Sequence, residues 1–405
     1  MKIIQIILIV CFFFACNYKK DKTSTVQSNT ETNKHNLTVV EQDYAKAINI
    51  ASKENKLLFI DFYTTWCAPC KKLDKLVFQN DSIENVLGKD FVLLKYDAEN
   101  DTIFHLSKKH HVSSYPTAIV LNQKGYIVNR KYGFPGNNVH TLSKNVLNFT
   151  EQSVELNSQN AYLKGYSNII DETKYPNFYI NYINRTNTRP KTSDIINFIK
   201  SKENFFKEED FTTLFYFGRE APASVGDIIV EDKQKYFELY GKQDVEVLLY
   251  FIASAKFNEA ISENNQEKYD QAVTFTKKAL SQDWLDDILP GFEIDRLRAQ
   301  KKWLEVFEIY EKKKNKDDIE EDEINYICRD IYKNCDDQEV IVKCIEWMKE
   351  ITNSNPKYAY LDTYTFLLYK SGNKKETKLV AKRAIEAAKQ EGKNTKKLEE
   401  LIKKM

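Results

Sequence analysis

Apolar side chains fall at Tyr44, Ala47, Ile48 and Ala51, three and four residues apart, which predicts an amphipathic helix over Glu41–Asn55. The period then gives way to an almost unbroken apolar run, Leu57-Leu58-Phe59-Ile60-Asp61-Phe62-Tyr63, of the length of a buried strand. A helix is expected from Cys67 to Phe78 and a short one over Ser82–Leu87. Phe91-Val92-Leu93-Leu94-Lys95-Tyr96 reads as a second buried strand, and Ile103–His111 as helix. Thr117–Leu121 and Tyr126–Tyr132 flank the turn-rich Asn122-Gln123-Lys124-Gly125, which predicts a hairpin. Gly136–Phe149 closes the unit as a helix. Helix and strand in alternation, followed by a hairpin, imply a central mixed sheet flanked by helices on both faces.

Beyond about residue 155 the strand pattern nearly vanishes and helical periods take over, so residues 153–405 are expected to be all-α. Lys268-Tyr269-Asp270-Gln271-Ala272 with Lys278-Ala279-Leu280 resembles the second helix of a tetratricopeptide repeat. Tyr360–Tyr369, Ser371-Gly372-Asn373 and Lys382-Arg383-Ala384-Ile385 resemble a full helix–turn–helix unit of that kind. Asp322–Tyr332 and Gln338–Glu350 make another pair. The spacing is uneven, which points to an irregular helical array. Thr186–Lys191 and Arg219–Gly226 read as loops within it.

Length and charge narrow the functions. At 405 residues the chain can build two bodies with their own cores, and a formal net charge of +1 with mixed signs argues against a nucleic-acid partner. Met1-Lys2 precedes an apolar run from Ile3 to Ala15, too short to span a membrane and of the length of a signal-peptide core. Its end, Phe13-Phe14-Ala15-Cys16, resembles the lipobox of bacterial lipoproteins, which implies cleavage and lipidation at Cys16. Phe13 departs from the Leu or Val usual there. By the sorting rule of well-studied Gram-negative bacteria, Asn17 after the lipidated position favours the outer membrane. Residues 1–16 are thus expected to be the signal, and 17–36, rich in Asn, Thr, Ser and Lys, a disordered tether.

The chemistry concentrates in Trp66-Cys67-Ala68-Pro69-Cys70-Lys71, directly after the first strand. A Cys-x-x-Cys pair opening a helix there is a thiol–disulfide exchange site, because the helix N-terminus stabilises a thiolate and the second thiol lies one turn away. Cys67 is expected to attack and to be the more exposed, with Lys71 and Lys72 adding positive charge; Cys70 resolves. The alternative, half of a zinc site, needs a second ligand pair, and Cys328, Cys335 and Cys344 are poorly spaced for one. Those three are expected to be buried packing thiols or to hold a structural disulfide. Asp61, a carboxylate in an apolar strand, needs a partner or a task.

Together with Tyr115-Pro116-Thr117 before the third strand, these residues resemble the thioredoxin superfamily over about residues 37–152. The resemblance implies a redox disulfide Cys67–Cys70, a proton-relay role for Asp61, and a cis bond at Pro116 facing the disulfide. It makes Trp66, Tyr115 and Pro116 substrate-binding, with Tyr115 close to the catalytic sulfur as in the Tyr-Pro-Thr of protein disulfide isomerases. Many members carry a Lys near the acid on the next strand; the alignment sets Leu93 there, with Lys95 two residues on. Ala68-Pro69 is close to the Gly-Pro of reducing members, which implies a potential nearer roughly −270 mV than the roughly −120 mV of a strong oxidant. The expected function is an exported reductase of protein disulfides, recharged by a membrane thiol-transfer protein and needing no cofactor or metal. The alternative is a scaffold whose helical part binds a partner. On the reductase reading the helical part is expected to position a protein partner or second subunit near Cys67 through exposed aromatics around Phe211–Gly218, so that a chain ending near Glu151 still folds and reduces a generic disulfide but loses selectivity for its partner.

Overall fold

The computed structural model describes residues 36–169, 171–184, 189–316 and 318–405. The expected signal 1–16, its expected lipidation site Cys16, the expected tether apart from its last residue, and part of the loop 186–191 lie outside the described residues.

The first half builds a five-stranded sheet. In chain order it runs β1 (Thr38–Glu41), α1 (Tyr44–Lys53), β2 (Leu57–Tyr63), α2 (Ala68–Leu73), a π-helical turn (Asp74–Phe78), α3 (Asp81–Leu87), β3 (Phe91–Asp97), α4 (Leu106–Lys109), β4 (Thr117–Leu121), β5 (Ile127–Tyr132) and α5 (Val139–Ser158). The strand order is β1-β3-β2-β4-β5, with β1 and β2 parallel to β3 and the β4–β5 hairpin antiparallel. Strand alternation decides what each face covers. Leu57 and Phe59 pack with Leu73, Val77, Phe78 and Phe149 beneath α2 and α5. Leu58, Ile60 and Phe62 face the other way, into a core with Ala47 and Ala51 of α1.

Three local expectations differ from the structure. Strand β1 has no sequence signal beyond Val39-Val40, since its four residues are held by pairing to β3. The helix expected over Ile103–His111 shrinks to one turn, because His105 (φ 49°) and His111 (φ 51°) take left-handed backbone on either side of it. Helix α5 runs unbroken past residue 152, the expected domain limit, and Leu163 N–H then donates back to the Ile127 carbonyl of β5 at 2.8 Å.

The second half is helical throughout its described residues. It comprises α6 (Asn177–Ile183), α7 (Thr192–Lys200), α8 (Glu208–Tyr216), α9 (Ala223–Glu231), α10 (Lys233–Tyr240), α11 (Lys242–Ser262), α12 (Gln266–Ala279), α13 (Gln282–Ala299), α14 (Trp303–Lys314), α15 (Glu321–Asn334), α16 (Gln338–Ser354), α17 (Tyr358–Lys370), α18 (Lys374–Gln390) and α19 (Lys396–Lys403), with short 3-10 turns at Glu172–Lys174 and Gly218–Glu220. The segment Arg219–Gly226 is therefore mostly helical rather than a loop. Pro222 sits at the N-cap of α9, where its fixed φ suits entry to a helix. Gly226 is a packing glycine: a Cβ there would meet the Phe275 ring of α12 at 2.6 Å.

Helices α6 to α12 do not form a separate body. The sheet's α1 face and the residues from Tyr166 to Leu285 share one continuous apolar core. A second core begins at Ile294 and runs to Leu398 through α14–α18. The shared core contains a buried ion pair. Arg130 of β5 lies 3.3 Å from Asp244 of α11, whose carboxylate also accepts from the Tyr166 hydroxyl at 2.6 Å, while Arg130 donates to the Tyr132 hydroxyl at 2.7 Å. Burial works against the guanidinium charge, but Asp244 and the nearby hydroxyls outweigh it, so Arg130 stays charged.

Of the aromatics expected to be exposed around Phe211–Gly218, only Tyr216 keeps part of its surface open. Phe211, Phe215 and Phe217 are buried in the shared core, and Phe211 stacks on Tyr240 at 3.7 Å. Helix α8 turns this row inward because both the sheet and α10–α11 need covering.

Candidate active site

The end of β2 delivers the chain to the N-terminus of α2. Cys67 is the N-cap, its sulfur receiving the Cys70 N–H at 3.2 Å, and it is joined to Cys70 in a disulfide with Cα atoms 5.3 Å apart. Both cysteines are only 3% exposed. The expected difference in exposure is absent from the disulfide form, since an exposed collar of Thr65, Trp66, Ala68 and Pro69 surrounds the bond. The remaining asymmetry is electrostatic: Cys67 caps the helix, and Cys70 is inside it.

The collar has two further parts. Trp66 is 65% exposed, donates from Nε1 to Glu99 at 3.0 Å, and sets its ring edge-on to Tyr115 at 6.2 Å. The Tyr115–Pro116 bond is cis. Antiparallel pairing of Phe62 with Thr117 brings the start of β4 to the sheet end where β2 delivers Cys67. The Pro116 carbonyl accepts from Gly133 N–H at 2.8 Å, and Thr117 Oγ1 donates to the Ser114 carbonyl at 2.7 Å, which ties the loop down.

Beneath the helix lies a polar cluster. Asp61 shares the strand face of Leu57 and Phe59, the face α2 covers, and is 2% exposed. The parallel register sets Asp61 beside Lys95 rather than Leu93, correcting the sequence alignment. Lys95 binds Asp74 at 2.8 Å, one helical turn after Cys70. Burial raises the Asp61 carboxyl to about 7, with Lys95 pulling it down and Asp74 pushing it up, so both protonation states are accessible near neutrality. Among the described residues, Asp61 Oδ1 has no hydrogen-bond partner.

Lys72 turns aside to Asn137 at 3.0 Å. Cys328, Cys335 and Cys344 are free, fully buried thiols packed within the second core, far along the chain from this site. Nothing in the local pattern marks Glu99 or Asp74, since their contacts with Trp66 and Lys95 are set at long range. Equally unmarked are the residues that hold the loop before Pro116 from the helical side. His111 bonds the Tyr179 hydroxyl at 2.5 Å and Glu208 at 3.2 Å, and Tyr216 donates to the Val112 carbonyl at 3.2 Å. Burial lowers the His111 pKa, with Glu208 opposing it.

A family model described as Thioredoxin-like matches residues 39–122. Thioredoxin-1 of Drosophila melanogaster is 35% identical over 101 residues, which take in 25% of this chain and 84% of that protein. The thiol:disulfide interchange protein DsbD of Citrobacter koseri is 28% identical over 133 residues, 31% of this chain; the match spans only 22% of that longer protein. Among solved structures, a putative disulphide-isomerase from Bacteroides thetaiotaomicron is 36% identical, with 29% of this chain and 95% of that one covered and a TM-score of 0.25.

Proposed function

The chain belongs to the thioredoxin superfamily, and we propose that this thiol–disulfide oxidoreductase works as an exported reductase of protein disulfides. The observation that carries the exchange chemistry is the Cys67–Cys70 disulfide at the N-terminus of a helix that covers a strand face holding an acid titrating near 7. In the reduced enzyme the Cys67 thiolate attacks one sulfur of the substrate disulfide. A Cys67–substrate bond forms and the other substrate sulfur leaves as a thiolate. Asp61 takes the Cys70 proton, Cys70 attacks Cys67, and the second substrate thiolate departs with that proton returned. Substrate is reduced by two electrons and the pair is oxidised. Trp66, Tyr115 and Pro116 form the surface against which the substrate chain lies.

Ala68-Pro69 between the cysteines supports the reducing direction, and the reducing equivalents are assigned to a membrane thiol-transfer protein facing the periplasm. The apolar run before Cys16 supports export and a lipid anchor, with the outer membrane favoured by Asn17. Cys16→Ser should release the protein from the membrane fraction or block its processing; a wild-type protein found wholly soluble would remove the anchor and leave the redox chemistry standing.

The function is tested by insulin reduction with dithiothreitol as the recharging agent. Wild type should turn over, Cys67→Ser should lose essentially all activity, and Cys70→Ser should stall. Normal dithiol titration without turnover on any disulfide would make the domain a docking platform instead. Redox equilibration with glutathione checks direction, the expected midpoint lying nearer roughly −270 mV than roughly −120 mV.

A further inference from the structure

Tyr115 touches Trp66 on one side and, on the other, lines an open cleft of about 780 Å3 between the sheet and the helical half. The volume is within the range of roughly 300–1,000 Å3 typical of ligand sites. Its far wall carries Tyr182, Tyr216 and Phe251, with Arg219 and Glu220 from the 3-10 turn. The helical half thus extends the surface beside the disulfide with an aromatic wall.

The charges in the cleft are unequal. Lys108 is taken by Glu172 at 2.5 Å, and Glu220 is taken by Arg189. Arg219 is exposed, with its guanidinium 5.0 Å above the Phe251 ring, and no carboxylate pairs with it among the described residues. A guanidinium stacked on a ring is held in orientation and keeps its N–H fork for a carboxylate. Because Tyr115 is shared, a polypeptide bonded to Cys67 that passes the collar leads into this space.

Building on the exchange reading, we infer that the cleft is a second recognition subsite for the substrate polypeptide. It takes an extended segment bearing an aromatic side chain, laid against Tyr182 and Tyr216, and a carboxylate that pairs with Arg219. Such a site gives the enzyme a preference among disulfides that the helix N-terminus alone does not supply.

The test uses the full chain with Cys70→Ser, reduced, and three short synthetic peptides, each with one cysteine held as a mixed disulfide with thionitrobenzoate. One peptide flanks its cysteine with Glu and Phe, one with Lys and Phe, one with Gly alone. Attack of the Cys67 thiolate on the peptide sulfur forms the Cys67–peptide disulfide and expels coloured thionitrobenzoate, which carries away the electron pair. The Glu–Phe peptide should react about tenfold faster than the Gly peptide, at a rate that falls with added salt. Arg219→Glu should invert the order of the Glu and Lys peptides, and Arg219→Lys should keep the original order; misfolding would slow all three alike and could not invert them. Equal rates for the three peptides, or an order unchanged by Arg219→Glu, would overturn the inference. Bis(2-hydroxyethyl) disulfide separates the two levels: reaction with it but no peptide preference defeats the cleft alone, whereas no reaction with any disulfide defeats the exchange reading and the inference together.

Discussion

Burial beneath α2 brings the ionisation of Asp61 into the range near neutrality. Its carboxyl titrates near 3.8 in an unfolded chain and at about 7 when folded. The folded state therefore holds the proton more tightly, and stability falls as pH rises from about 4 to about 7, by an amount on the order of 4 kcal/mol. Above that window the loss is complete. Asp61→Asn should abolish this part of the slope and unfold at higher urea than wild type at pH 8, with the two closer together at pH 4. The same variant should resolve mixed disulfides more slowly, since Cys70 loses its proton acceptor. Lys95 lowers the Asp61 pKa, so Lys95→Met should move the pH midpoint of resolution upward. A midpoint unmoved in both variants would remove Asp61 from proton transfer. The acid was visible in the sequence as one polar letter in an apolar run. Its neighbour was not: which residue of a parallel strand sits beside it depends on a register fixed across the sheet, and Lys95 and Leu93 differ by one pleat repeat.

At the scale of elements, β5 and α11 are bound by Arg130 and Asp244. Removing one partner leaves the other charge buried, so Asp244→Ala should destabilise the protein by about 3–5 kcal/mol. Replacing both, as Arg130→Met with Asp244→Leu, should recover much of that loss; a double variant as unstable as the single one would contradict the assignment. Elements set by local patterning were legible, namely β2, β3, the β4–β5 hairpin and the long C-terminal helices. Those set by contacts were not. β1 exists because β3 pairs with it, and α9 begins at Pro222 in a stretch whose Pro and Gly read as loop. Periodicity identifies an apolar face around Phe211–Gly218 without saying what covers it, and its Phe211, Phe215 and Phe217 are core rather than docking surface.

For the whole molecule, a cut at residue 152 passes through α5 and divides the core that the α1 face of the sheet shares with α6–α12. A chain ending after Glu151 cuts α5, strips Asp244 from Arg130 and uncovers the core residues that α6–α12 bury, each such side chain contributing about 1.5–3 kcal/mol. Such a chain should be insoluble or melt far below the parent. A chain ending at residue 299 keeps the shared core and loses only the second one, and should remain folded and reduce insulin. Circular dichroism melts of the two truncations decide this; a cooperative melt of the shorter chain at the parental temperature would restore the modular picture.

On this mechanism Cys67 alone forms the covalent link to substrate. The most direct measurement is peptide mass mapping of the adduct between reduced full-length Cys70→Ser and oxidised insulin. A single mixed disulfide at Cys67, with Cys328, Cys335 and Cys344 recovered as free thiols, is the predicted result. An adduct on any other cysteine, or none under conditions where dithiothreitol itself reacts, would contradict it.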